Sequence, residues 1–240
     1  MAVYAISDLH LAWSVDKPMD VFGARWANYM SKLEENWRST VTGDDYVIVP
    51  GDISWATYLE QAYEDFRFIH GLPGRKIISK GNHDYWWTTK SKLDKFLNEN
   101  GFDSISFMHN NSYCARGAVI CGTRGWEMPG ETGFGAEDEK IYRRELQRLE
   151  LSLKNAGAAA GSLDSQIKGR IIVALHYPPF NSKGEFSGFI DIMKKYEVQL
   201  CIYGHLHGDA CRDAIEGIYE GISFRLVSAD HLGFAPVLLT

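Results

Sequence analysis

The sequence predicts an α/β fold in which two mixed β-sheets stack between helices. Short apolar runs of strand-forming residues alternate with segments of helical periodicity. Chemically suggestive polar residues sit directly behind several of those runs. Two stretches, 104–122 and 219–239, instead read as consecutive strands joined by turns, which a single doubly wound parallel sheet does not accommodate.

Val3-Tyr4-Ala5-Ile6 reads as a first buried strand. Tyr46-Val47-Ile48-Val49, Lys76-Ile77-Ile78-Ser79, Ile171-Ile172-Val173-Ala174-Leu175 and Leu200-Cys201-Ile202-Tyr203 follow the same pattern, each brief, β-rich and bounded by turn residues. Trp55, Leu59, Ala62, Phe66 and Ile69 fall on one helical face, with Gly71 as the stop. In 137–155, Tyr142, Leu146, Leu149 and Leu153 share a face, and Glu137-Asp138-Glu139 suits a helix N-terminus. Segment 104–122 is expected as a hairpin or meander turning at Asn110-Asn111, and 219–239 as strands divided by Gly221 and Gly233. Residues 156–169 read as a mobile surface loop.

With 240 residues, 45% of them hydrophobic and 13% aromatic, the chain can bury a full core, and residues 1–240 are expected to form one domain. A net charge of −6 argues against wholesale binding of a nucleic-acid backbone, and no basic track is evident. It leaves room for a phosphorylated substrate, because bound cations reverse the local sign. No stretch is long and apolar enough to span a bilayer, and Met1 to His10 lacks a basic region followed by an apolar one. Cys114, Cys121, Cys201 and Cys211 lack zinc-finger spacing. The expectation is a cytoplasmic protein with reduced, mostly buried thiols. A Cys114–Cys121 disulfide across a hairpin is the alternative.

Five segments carry the chemistry: Ser7-Asp8-Leu9-His10, Gly51-Asp52, Gly81-Asn82-His83-Asp84, His176, and Gly204-His205-Leu206-His207. Each follows a strand, where α/β sheets bind ligands. Carboxylates, imidazoles and an asparagine carbonyl are mixed O/N ligands for divalent ions. In Asp8-Leu9-His10 on an extended chain, alternate side chains share a face, and His205-Leu206-His207 repeats that spacing. Five of the eight histidines fall in these segments, so the conjunction says more than any single motif.

The set resembles the calcineurin-like metallophosphoesterases, over the span from Asp8 to His207, nearly the whole domain. The resemblance implies the metallo-dependent phosphatase fold, a four-layer α-β-β-α sandwich of two mixed β-sheets flanked by helices. It implies one divalent metal held by Asp8, His10, Asp52 and His207, and a second held by Asp52, Asn82, His176 and His205, with Asp52 bridging. Manganese or iron suits the set, and zinc is possible. His83 is then expected to face the substrate as general acid, with Asp84 orienting it. Hydrolysis of a phosphate ester by a hydroxide bridging the metals follows, on a small phosphorylated substrate, a diester or a small monoester or nucleotide. No arginine follows Gly51-Asp52 closely, and the third motif ends in Asp84 rather than a glutamate, which argues against a protein phosphatase. The rivals are a non-catalytic scaffold on this fold, which the complete ligand set disfavours, and a nuclease.

Aromatics crowd the motifs. Trp126, Trp86 and Tyr177, with Arg124, are candidates for a substrate rim that stacks a flat group. The competing reading is that these rings pack the core.

Overall fold

The computed structural model describes residues 1–17, 19–160 and 170–240. The chain divides into two compact units, Met1–Phe107 with Val227–Thr240, and Met108–Leu226.

In the first unit, β1 (Val3–Ala5), β2 (Tyr46–Pro50), β3 (Arg75–Ser79) and β4 (Ile105–Phe107) run parallel, and β11 (Val237–Leu238) pairs antiparallel with β1. The order is β11-β1-β2-β3-β4. Three helices flank it: α1 (Tyr29–Thr40), α2 (Tyr63–Gly71) and α3 (Lys90–Asn100). Leu33 and Trp37 of α1, Phe66 and Ile69 of α2, and Leu93, Phe96 and Leu97 of α3 recur at three- and four-residue spacing. They bury against Val47, Val49, Ile78 and Phe107. The alternate strand residues Val3, Ala5, Ile48 and Ile77 are buried as well, as expected of a parallel sheet covered on both faces. Lys76 is buried on β3, and its ammonium donates to the carbonyls of Leu72 and Gly74, both at 2.7 Å, just past the end of α2. There it meets the negative end of the helix dipole.

In the second unit the order is β5-β6-β7-β8-β10-β9. The strands are β5 (Tyr113–Ala115), β6 (Ala118–Thr123), β7 (Arg170–Leu175), β8 (Leu200–Tyr203), β9 (Gly217–Tyr219) and β10 (Ile222–Leu226). The inner four are parallel, and β5 and β9 are antiparallel edges. Helices α4 (Ala136–Ala160) and α5 (Gly188–Lys195) bury Leu149, Leu153, Phe189 and Met193 against Val119, Val173, Leu175 and Cys201. Two mixed sheets, each flanked by its own helices, are therefore the architecture.

Several local expectations change. The hairpin of 104–122 is narrower than expected. Ile105–Phe107 joins the first unit's sheet, and β5 turns into β6 at Arg116-Gly117, not Asn110-Asn111. Both turn residues have positive φ, 52° and 73°, as a two-residue turn matched to strand twist requires. Trp55 lies outside α2, which begins at Tyr63 after a 3-10 turn over Leu59–Ala62. Residues 156–160 of the expected loop continue α4, and 161–169 lie outside the described residues. No disulfide joins Cys114 and Cys121, and Cys114 is exposed. No helix among the described residues is long and apolar enough to cross a membrane.

Candidate metal centre

In the first unit, the loops after β1 and β2 run side by side. Asp8 N–H donates to the Gly51 carbonyl at 3.0 Å and His10 N–H to the Asp52 carbonyl at 3.0 Å. Leu11 N–H bonds Ile53 O at 2.9 Å. The Asp8-Leu9-His10 segment is not extended, contrary to the spacing argument. Asp8, His10 and Asp52 all adopt left-handed φ, 59°, 46° and 52°. Such values in non-glycine residues are strained and gather at functional sites, where the surroundings enforce them.

The strained loops bring ligand atoms together. A carboxylate oxygen of Asp8 lies within 4.8 Å of a His10 ring nitrogen, and one lies within 4.8 Å of an Asp52 carboxylate oxygen. His10 Nε2 is 3.7 Å from Asp52 Oδ2. Asp8 and Asp52 are both buried. Two buried carboxylates this close raise each other's energy when ionised, and a divalent cation relieves that repulsion. The donor set therefore fits a metal ion. Asp8 Oδ2 also accepts from the hydroxyls of Ser7 and, at 3.2 Å, Ser228.

The third motif is tied to the second by reciprocal bonds. Asp84 Oδ2 accepts from the N–H of Gly81 at 2.7 Å and of Asp52 at 2.9 Å. Its Oδ1 accepts from Ile53 N–H at 2.8 Å, the Trp86 indole at 3.1 Å and Ser54 N–H at 3.4 Å. His83 N–H in turn donates to Asp52 Oδ1 at 2.8 Å. Burial pushes the Asp84 carboxyl up, to about 6, against the backbone donors that pull it down. All five donors belong to backbone or indole, so Asp84 holds the two loops together and does not bond the His83 ring. The His83 ring lies 4.6 Å from Trp55, and Tyr85 places its hydroxyl 3.4 Å from Nδ1. Gly81 is the only residue type its position admits, because a Cβ would overlap Asp52 N and Oδ1.

His10 has a support the sequence did not disclose. Its ring stacks on Trp55 at 4.9 Å and meets the edge of Trp26 at 5.8 Å, and the Tyr29 hydroxyl donates to its carbonyl at 2.6 Å. Trp55 adjoins a motif and could have been suspected. Trp26 and Tyr29 lie in no motif, and nothing in their neighbourhood marks them.

In the second unit, His176 follows β7, while His205 and His207 follow β8. The N–H groups of His176 and Tyr177 both donate to the Arg124 carbonyl at 2.9 Å, and Gly204 N–H donates to His176 O at 3.1 Å. The His176 and His205 rings come to 5.1 Å. Tyr177 lies 4.3 Å from His205 and 5.1 Å from Trp126. Gly125, at φ 73°, lets the 124–126 segment pass Tyr177, whose Cβ would be 3.3 Å from a Cβ there. His207 stands before a 3-10 turn, Gly208–Asp213.

The rim candidates separate. Trp126 and Tyr177 line a cavity of about 300 Å³ that His205 also lines. Arg124 is not in that lining; its guanidinium lies 4.3 Å over Trp126 and 3.7 Å from Glu145. Trp86 is 2% exposed and packs on Phe66 and Phe107 in the first unit's core, with its indole N–H on Asp84. It is a core ring, not a rim, because its bulk fills the space under the third motif.

Solved structures share the fold. A protein of unknown function from Aquifex aeolicus is 18% identical, with TM-score 0.52, covering 99% of this chain and 95% of that one. A phosphopantetheinyl hydrolase from Mycobacterium tuberculosis is 15% identical, with TM-score 0.51, covering 95% and 88%. No curated protein sequence matches. Residues 1–209 match the calcineurin-like phosphoesterase family, which is most of the chain, and the protein belongs to that family.

Proposed function

We propose that the protein is a metal-dependent hydrolase of small phosphate esters, monoesters or diesters, in which residues 1–240 act as one catalytic domain. Asp8, His10, Asp52 and His207 would hold one divalent ion, and Asp52, Asn82, His176 and His205 a second, with Asp52 shared. The observation that carries this reading is the pair of buried carboxylates, Asp8 and Asp52, within 4.8 Å and beside the His10 imidazole. Membership of the phosphoesterase family supports it. Manganese or iron suits the ligands, with zinc the alternative. The ions would supply positive charge to the phosphoryl oxygens and make water more acidic.

The chain's own groups supply the rest. His83 is half-buried and supported by Trp55 and Tyr85, and it serves as general acid, giving its proton to the leaving oxygen. Asp84 is a positioning residue that locks the Asp52 loop to the His83 loop. Trp26 and Trp55 keep the His10 ring from turning.

Chelation followed by addition of manganese, iron or zinc tests the reading. Activity on p-nitrophenyl esters should vanish and return. His83→Ala should keep its metal content and lose roughly 10²–10⁴-fold in kcat on alkyl esters, and less on nitrophenyl esters, whose leaving group needs little protonation. Full activity after chelation removes the metal from the account, and a metal-deficient His83→Ala would make His83 a ligand.

A further inference from the structure

We propose that the cavity beside His205 is the specificity pocket of this site, and that it takes an ester arm carrying positive charge, an ammonium on a small organic body. The proposal rests on the phosphoesterase reading, which puts His205 at the metal. Among the described residues the cavity is lined by residues of the second unit, and it holds about 300 Å³, room for a small group.

Its aromatic wall is rigid. Trp126 and Tyr177 meet at 5.1 Å and 51°. The Trp126 indole donates to Asp138 Oδ1 at 3.1 Å, and Tyr177 packs on Gly125 and His205. Ring faces fixed in advance attract an organic cation through their quadrupole without further ordering cost.

The charge lining the cavity is acidic, while the Arg124 guanidinium against the Trp126 ring lies outside that lining, 3.7 Å from Glu145. Among the described residues, beyond His205 and two tyrosines, every ionisable side chain lining the cavity is acidic: Glu127, Glu131 and Asp213. Glu131 is held in place by the N–H of Ser182 at 2.5 Å and its hydroxyl at 2.9 Å. Desolvation by the protein around it, with Asp138 and Glu131 nearby, holds the Glu127 carboxyl above its usual range although the residue is exposed. An arriving cation relieves that crowding, and a further phosphate or carboxylate aggravates it. Met128 and Ile215 add apolar surface for the methylenes of such an arm. The chemistry therefore selects an aminoalkyl or quaternary ammonium ester and rejects a polyphosphate tail.

The test compares two diesters with the same leaving group, p-nitrophenyl phosphorylcholine and ethyl p-nitrophenyl phosphate, on the metal-loaded protein at low salt. The kcat/KM ratio should favour the choline ester by about tenfold, within the range of a cation on an aromatic face with carboxylates beside it. In the Glu127→Gln/Asp213→Asn variant, whose changes lie at exposed positions, the ratio should fall to about two. Calorimetric titration with choline alone provides a readout free of turnover, with binding to the parent protein and loss in the variant. A ratio at or below one, or one the variant does not move, overturns the proposal. Choline binding with neither ester hydrolysed under any metal would sink the phosphoesterase reading and leave the cavity assignment standing. Hydrolysis without preference and without choline binding would sink the cavity alone.

Discussion

Replacing Asp84 by asparagine isolates what this carboxylate does. Each of its oxygens accepts at least two donors, Gly81 and Asp52 N–H on Oδ2, and Ile53 N–H, the Trp86 indole and Ser54 N–H on Oδ1. An amide offers one acceptor oxygen and one NH₂ group, which only donates. Whichever way it turns, its NH₂ group faces at least two N–H groups that then lack a partner. Asp84 is fully buried, so water does not replace the lost acceptor. A buried donor left unsatisfied costs about 1–3 kcal/mol, so Asp84→Asn should destabilise the protein by about 2–6 kcal/mol. Urea denaturation of metal-free protein measures this, with His83→Ala as the comparison at a half-buried position. Metal affinity should fall as well, because the Asp52 backbone is one of the released groups. A loss of stability below about 1 kcal/mol, paired with a turnover defect as large as that of His83→Ala, would refute the reasoning. It would mean that the carboxylate acts on the His83 ring.

Gly81→Ala should lower stability and weaken metal binding, since the added Cβ lands on Asp52 N and Oδ1; wild-type urea midpoint and kinetics in that variant would show that the loop relaxes freely. On the proposed ligand set, in which Asp52 would be shared by two ions, Asp52→Asn should cost more turnover than His207→Ala, and an equal or smaller loss would remove the bridge. Burial lowers Lys76 from 10.5 to about 8, with Asp103 opposing, so the unfolded chain keeps a proton that the native state gives up between those values. Stability should therefore rise with pH across that window, by at most about 1.4 kcal/mol per pH unit, with the full burial penalty present below it. Urea midpoints at pH 7.5 and pH 9.5 should show that rise in the parent protein and less of it in Lys76→Met; parallel curves would exclude Lys76 as its source.

The strands that position the motifs were legible because burial on both faces leaves runs such as Tyr46-Val47-Ile48-Val49 apolar throughout, a signal contained in a few adjacent residues. The motifs that mark the family were legible for a similar reason, since divalent-ion chemistry, which the family resemblance implies, restricts residue types more tightly than packing does. Helices α1, α3 and α5 went unread, although Tyr29, Leu33 and Trp37 share a face, because interspersed charges dilute a short period.

The tertiary structure alone decided how the loops behave. Asp8-Leu9-His10 suggested an extended triplet, yet Asp8 and His10 take left-handed φ, with their N–H groups donating to carbonyls of the neighbouring loop. Asp84 was expected to orient a ring and instead ties backbone N–H groups from two loops, a role set by residues about thirty positions away. Trp86 and Trp126 both follow motifs or strand ends, and only packing separates a core ring from a cavity wall. The physical reason is common to all three. A residue's capacity to act as a ligand is local chemistry written into its type, whereas dihedral strain, hydrogen-bond pairing and solvent exposure depend on neighbours that the chain brings close only by folding.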